Sequence, residues 1–174
     1  MQGVSYKTMQ RILLNHLKLK QYGYITACRY PAGRGVIMKK NGILNSDIAR
    51  VLAYMGHTDK ICIGDCGLPV PDETERIDLA LRFGQPSFMD VLKEVAGDMK
   101  IERIVLAEEM KEQNEAQLQA VLNFFEKLET GFIPEVEYVS HEELKKMTKD
   151  CKAVIRTGET TPYSNIILQS GCIF

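Results

Sequence analysis

Gly56-His-Thr-Asp-Lys-Ile-Cys-Ile-Gly-Asp-Cys-Gly-Leu-Pro-Val-Pro71 decides the fold. It reads as the end of a helix, one short buried strand and a loop stiffened by Pro69 and Pro71. Lys60-Ile-Cys-Ile-Gly64 is the strand, a β-rich apolar run too short for a helix. Its two ends carry chemistry: His57 lies where the helix stops and Asp65 where the strand stops. An acid/base group and a carboxylate on one strand–loop unit point to a site rather than a core.

On the N-terminal side, Ser46 is the expected cap of a helix over Asp47–Met55, striped by Ile48, Val51, Leu52 and Met55. Gly56 is the expected left-handed stop. On the C-terminal side, Arg76–Leu81 alternates like a second strand. Ser87, with Asp90 three residues on, starts a helix carrying Phe88, Val91, Leu92, Val95 and Met99. Arg103–Ala107 is the next strand, and Asn114 is the expected cap of a helix to Leu128. That helix offers Ala116, Ala120, Leu122, Phe124 and Phe125 as its buried side. After a loop over Glu129–Pro134 come a strand at Val136–Val139 and a short helix through Met147, begun by the capping-box spacing Ser140-His-Glu-Glu143. Strands at Ala153–Arg156 and Asn165–Leu168 close the pattern.

Helices alternating with strands predict a single three-layer α/β/α domain over residues 38–174, with a mainly parallel, mixed at most, sheet. It is Rossmann-like in pattern but lacks a nucleotide motif, since neither G-x-G-x-x-G nor G-x-x-x-x-G-K-[ST] occurs. In such sheets ligands bind beyond the carboxyl ends of the strands. Asp65, Glu108, Glu109 and Ser140-His141 fall at such ends.

Charge divides the chain unevenly. Residues 1–37 hold six Lys or Arg and no acid, whereas residues 38–174 hold 16 basic and 23 acidic residues. The acidic body argues against nucleic acid as a partner, and no apolar run is long enough to span a membrane. The basic leader reads as a transit peptide, a membrane or nucleic-acid arm, or translated upstream sequence ahead of a start at Met38-Lys-Lys. The last is favoured because regular patterning begins only after Met38. Five cysteines without paired spacing fit a reducing compartment. Cys62-x3-Cys66 lacks the second pair that zinc would need, so no metal is expected.

Of the body's two histidines, His57 follows a helix C-terminus and His141 lies in a first turn. The helix dipoles therefore bias His57 toward imidazolium and His141 toward the neutral ring. Asp65 reads either as a turn residue bonded to its own loop or as an acceptor for ligand hydroxyls. Lys145, one turn beyond His141, shares its face. The loop Arg156-Thr-Gly-Glu-Thr-Thr-Pro-Tyr-Ser-Asn165 is rich in hydroxyl, amide and guanidinium groups, with Tyr163 able to stack on a sugar.

Five ordered segments carry a family resemblance: Met38-Lys-Lys-Asn-Gly-Ile-Leu-Asn45, Gly56-His-Thr-Asp59, Asp65-Cys-Gly-Leu-Pro-Val-Pro71, Ser140-His-Glu-Glu143, and Ala153-Val-Ile-Arg-Thr-Gly-Glu159 with Thr161-Pro-Tyr-Ser-Asn165. With them the chain resembles the D-ribose pyranase family, whose superfamily includes fucose mutarotases. The resemblance spans Met38 to Phe174. It implies a cytoplasmic, cofactor-free isomerase exchanging the β-pyranose and β-furanose rings of D-ribose in ribose catabolism. It further implies a homo-oligomer, a pentameric ring or homodecamer, with clefts between subunits. By carry-over His57 is the proton donor, and Asp65, His141, Lys145, Tyr163, Ser164 and Asn165 bind the sugar. A fucose mutarotase and a non-catalytic sugar-binding partner of a transporter or kinase are the alternatives. Cys66 stands where the family often has alanine.

Overall fold

The computed structural model describes residues 39, 42–128 and 133–172. The leader and most of the Glu129–Pro134 loop lie outside the described residues. In chain order the elements are α1 (Ser46–Tyr54), β1 (Lys60–Gly64), β2 (Glu75–Asp78), α2 (Phe88–Asp98), β3 (Ile101–Ala107), α3 (Met110–Gln113), α4 (Glu115–Leu128), β4 (Glu135–Val139), α5 (His141–Met147), a 3-10 turn (Thr148–Asp150), β5 (Ala153–Arg156) and β6 (Ile166–Ser170).

The six strands form one sheet in the order β2-β5-β1-β6-β3-β4. Pairs β1–β5, β2–β5 and β3–β4 are parallel, whereas β6 runs antiparallel to both β1 and β3. The sheet is therefore mixed, and its first five strands all point the same way. Ile61, Cys62 and Ile63 have no exposed surface although successive side chains face opposite sides. Ile166, Ile167 and Leu168 are equally enclosed. Both faces of the central strands are thus covered, which makes the domain three-layered. Burial also pushes the Cys62 thiol well above its ordinary range, so it packs as a small apolar group.

Strands β1 and β5 match their expected bounds because turn residues close each apolar run. The capping box of α2 is complete, with Ser87 and Asp90 bonded reciprocally. Ser140 likewise accepts from Glu143 N at the start of α5. Other local expectations are corrected. Asn45, not Ser46, caps α1, because Asn45 holds the extended backbone and its Oδ1 accepts from Asp47 N and Ile48 N at 3.0 Å. The helix ends on an extended Met55, and Thr58 rather than Gly56 takes the left-handed conformation. Strand β2 stops at Asp78, whose Oδ1 accepts from Ala80 N and turns the chain. On α4 the fully covered residues are Leu118, Val121 and Phe125; Ala116 is exposed. Strand β6 begins one residue late and runs to Ser170, which releases Asn165 to the preceding loop.

Candidate functional site

The common direction of β1 to β5 brings their carboxyl ends to one edge of the sheet, and the antiparallel β6 begins there. Asp65 leaves β1 at this edge and Asn165 enters β6 beside it. Asp65 N donates to Asn165 Oδ1 at 3.0 Å, and Asn165 Nδ2 donates to Asp65 Oδ2 at 3.0 Å. The other carboxylate oxygen accepts from Gly67 N at 2.9 Å. Both readings of Asp65 are met: it closes its own turn and also faces a second loop. Two donors leave part of a carboxylate's acceptor capacity unused. The close approach needs Gly64, where a side-chain carbon would lie 3.1 Å from Asn165 Oδ1.

Ser164 and Asn165 are buried, and Tyr163 precedes them with φ 61°. A tyrosine in the left-handed region is strained unless its surroundings hold it there. Asn114 is one holder: its Nδ2 donates to Pro162 O at 2.9 Å and to Ser164 Oγ at 3.1 Å. It stands at the cap position of α4, where its carbonyl accepts from Leu118 N, but its side chain is committed to the loop. Glu159 is another holder, accepting from Thr160 N, Thr161 N and Thr161 Oγ1, and from Phe88 N on α2. Burial alone would raise the Glu159 carboxyl, but the donors of Thr161, Phe88 and Thr160 outweigh it and hold it below its ordinary value.

The Tyr163 ring meets His141 edge to face, with centroids 5.1 Å apart and planes at 87°. Glu109, past the end of β3, fixes the start of α5 by accepting His141 N on both carboxylate oxygens, at 3.0 and 2.9 Å. Burial, then the neighbouring Lys145 charge, lower the His141 pKa below its ordinary 6.5, against the opposing pull of Glu109, Asp65 and Glu142. The neutral ring expected from the helix terminus is therefore favoured, chiefly by burial. Among the described residues nothing bonds its buried Nδ1. Lys145 Nζ donates to Glu142 Oε1 at 2.7 Å. Asp65, His141, Lys145, Tyr163, Ser164 and Asn165 thus converge on one sheet edge.

His57 does not join them. It precedes β1, so five strand residues, on the order of 16 Å, separate it from Asp65 within one chain. At that opposite edge His57 Nε2 lies 2.9 Å from Glu102 Oε2, and its side chain is half exposed. Glu102 Oε1 accepts from Gln169 Nε2 at 2.7 Å. Hydrogen bonds from Gln169 and then His57 hold the Glu102 carboxyl below its ordinary value. The sequence offers Asn114 only as a cap, and Glu102 falls just outside the strand expected at Arg103–Ala107. The available signal was the acidic Glu102 beside Arg103 at the start of an apolar run.

Residues 38–173 match the model of the RbsD / FucU transport protein family. A D-ribose pyranase from Streptococcus uberis is 58% identical over 134 residues, covering 77% of this chain and 98% of the relative. A D-ribose pyranase from Bacillus cereus is 56% identical over 138 residues, covering 79% of this chain and 100% of the relative. The structure of Bacillus subtilis RbsD complexed with D-ribose superimposes with a TM-score of 0.73 at 51% identity, over 79% of this chain and 100% of that one. A fucose mutarotase in complex with L-fucose from Streptococcus pneumoniae shares the fold alone, with a TM-score of 0.60 and 20% identity. Among the described residues no helix is long and apolar enough to cross a membrane.

Proposed function

The chain belongs to the RbsD / FucU transport protein family, and on that premise we propose that it is an isomerase interconverting the β-pyranose and β-furanose forms of D-ribose. The observation that carries this reading is the polar edge built by Asp65, Asn165, Ser164, Tyr163 and neutral-favoured His141. Its groups match a polyhydroxylated ring: a carboxylate with acceptor capacity, a buried amide, an aromatic face and an unpaired imidazole nitrogen. The naming of its relatives over nearly their full length supports ribose as the sugar.

Ring exchange opens a hemiacetal and closes it on another hydroxyl. Opening delivers one proton to the ring oxygen and removes one from the anomeric hydroxyl; closing reverses both, so no net proton is consumed. Protonated His57 donates to the ring oxygen while a water molecule takes the anomeric proton, and closing returns both. Asp65, His141, Lys145 and the Tyr163-Ser164-Asn165 loop bind and orient the hydroxyls. Positioned acid–base groups give about 10²–10⁴-fold, sufficient for a reaction that already proceeds in water. Restricting the open-chain aldehyde to one rotamer adds to this. No step in this scheme calls for a cofactor or metal.

His57 and the sugar-binding edge lie at opposite ends of β1, so the reading requires a second copy to bring its His57 to this edge. It therefore includes a homo-oligomer, a pentameric ring or homodecamer, with clefts between subunits. The same reading takes residues 38–174 as the catalytic domain, residues 1–37 as an extension outside it, and the cytoplasm as the site of a role in ribose catabolism. Magnetisation-transfer NMR on D-ribose tests it. Micromolar protein should accelerate pyranose–furanose exchange, and no acceleration at that concentration overturns the reading.

A further inference from the structure

The edge that carries His57 contains more construction than an exposed histidine needs. Along β3 and β6 the register runs Ile101↔Ser170 and then Arg103↔Gln169, so two residues of β3 pass for one of β6. Glu102 is the extra residue of this bulge. Bulges re-aim side chains and recur beside functional sites. Glu102 points one carboxylate oxygen at His57 Nε2 and the other at Gln169 Nε2. Gly171 makes room for it, since a side-chain carbon there would stand 3.0 Å from Glu102 Cβ. The turn carrying His57 is itself pinned to β6. Thr58 N donates to Ser170 O at 2.9 Å, Ser170 N donates to Asp59 O at 2.8 Å, and Thr58 is held at φ 68°.

We propose that Glu102, braced by Gln169, is the positioning residue of the proton donor, fixing the His57 ring by Nε2 so that Nδ1 is presented to the sugar. A carboxylate accepts only, so Nε2 keeps its hydrogen throughout and Nδ1 is the nitrogen that exchanges protons. In the forward step the Nδ1–H bond breaks, the proton joins the ring oxygen, and the ring is left neutral with Nε2–H still on Glu102. Closure on the new hydroxyl returns a proton to Nδ1. In the same turn as His57, Asp59 pairs with Lys152 at 3.2 Å. Arg103 is directed away, toward Glu135 and Glu137 on β4.

The inference rests on His57 being the donor, and the test separates the two. Glu102→Gln keeps the shape and a hydrogen-bonding group but removes the charge. Nitrogen NMR of the neutral His57 ring, assigned with His57→Ala, should show the Nε2–H tautomer in the wild type and a mixture of Nε2–H and Nδ1–H forms in Glu102→Gln, because an amide can either accept from or donate to the ring. Exchange kcat should fall with loss of the Nε2–H tautomer while ribose KM stays unchanged. Glu102→Ala, which frees the ring, should lower kcat by about tenfold. Gln169→Met should act in the same direction but less, and Glu102→Asp should restore the Nε2–H tautomer. A His57 tautomer unchanged in Glu102→Gln, or a raised KM with unchanged kcat, overturns the proposal even if His57→Ala is inert. Full exchange activity in His57→Ala overturns the donor reading beneath it. Circular dichroism of each variant detects loss of fold, and Gln169→Met then supplies the decisive comparison.

Discussion

Replacing Asn114 separates two roles that the same position offers. If its side chain caps α4, Asn114→Ala costs about 1 kcal/mol and Asn114→Ser restores nearly all of it, since the two are comparable caps. If it ties the Tyr163-Ser164-Asn165 loop, the expected cost differs. Its Nδ2 serves Pro162 O and Ser164 Oγ. Pro162 is exposed and its carbonyl can turn to water, but Ser164 is fully buried and has no such recourse. Losing the bonds and leaving one buried hydroxyl unpaired costs about 2–3 kcal/mol. A serine at 114 is too short to span the gap, so Asn114→Ser should stay nearly as destabilised as Asn114→Ala. Urea unfolding at fixed protein concentration, read at the midpoint with unchanged slope, measures this. Both variants should also raise ribose KM, because Tyr163 is no longer held at its left-handed φ. A serine variant with wild-type stability and KM would refute the loop-tie reasoning.

Two further perturbations probe the same edge. Gly64→Ala introduces a carbon 2.5 Å from Leu68 Cδ2 and 3.1 Å from Asn165 Oδ1; calorimetry should show a loss of about 1–3 kcal/mol, with weakened ribose binding. The depressed His141 pKa makes the native state a poorer proton acceptor than the unfolded chain. Its contribution to stability is complete above its unfolded value of 6.5 and is lost as pH falls through the lower folded value. Urea midpoints measured from about pH 8 down to pH 5 should therefore decline less in His141→Gln than in the wild type.

The features readable from the sequence were those that depend on nearby residues. Lys60–Gly64 and Ala153–Arg156 were legible as strands because each apolar run ends at turn-forming residues. Ser87 and Asp90 announced α2 because a capping box needs only a four-residue span. The antiparallel insertion of β6 between β1 and β3 was not legible, because strand direction depends on tertiary pairing. Asn114 looked like a cap because its partners lie about fifty residues away. Glu102 lay outside the expected strand and drew no reading, because its bulge depends on the register with β6. His57 and Asp65 were correctly set at opposite ends of β1. The consequence that one chain cannot bring them together through that strand emerges only with the sheet.

In the proposed oligomer the donor of one copy serves the sugar edge of another. Complementation between two inactive variants is the direct test. His57→Ala and Asp65→Ala should each fail to accelerate ribose ring exchange as homogeneous assemblies. Co-expressed in equal amounts and purified together, they form clefts that pair an intact His57 with an intact Asp65 in about one case in four. Exchange at roughly a quarter of the wild-type rate is the predicted result. Mixed assemblies, verified by two affinity tags, that remain as inert as either parent would contradict the claim.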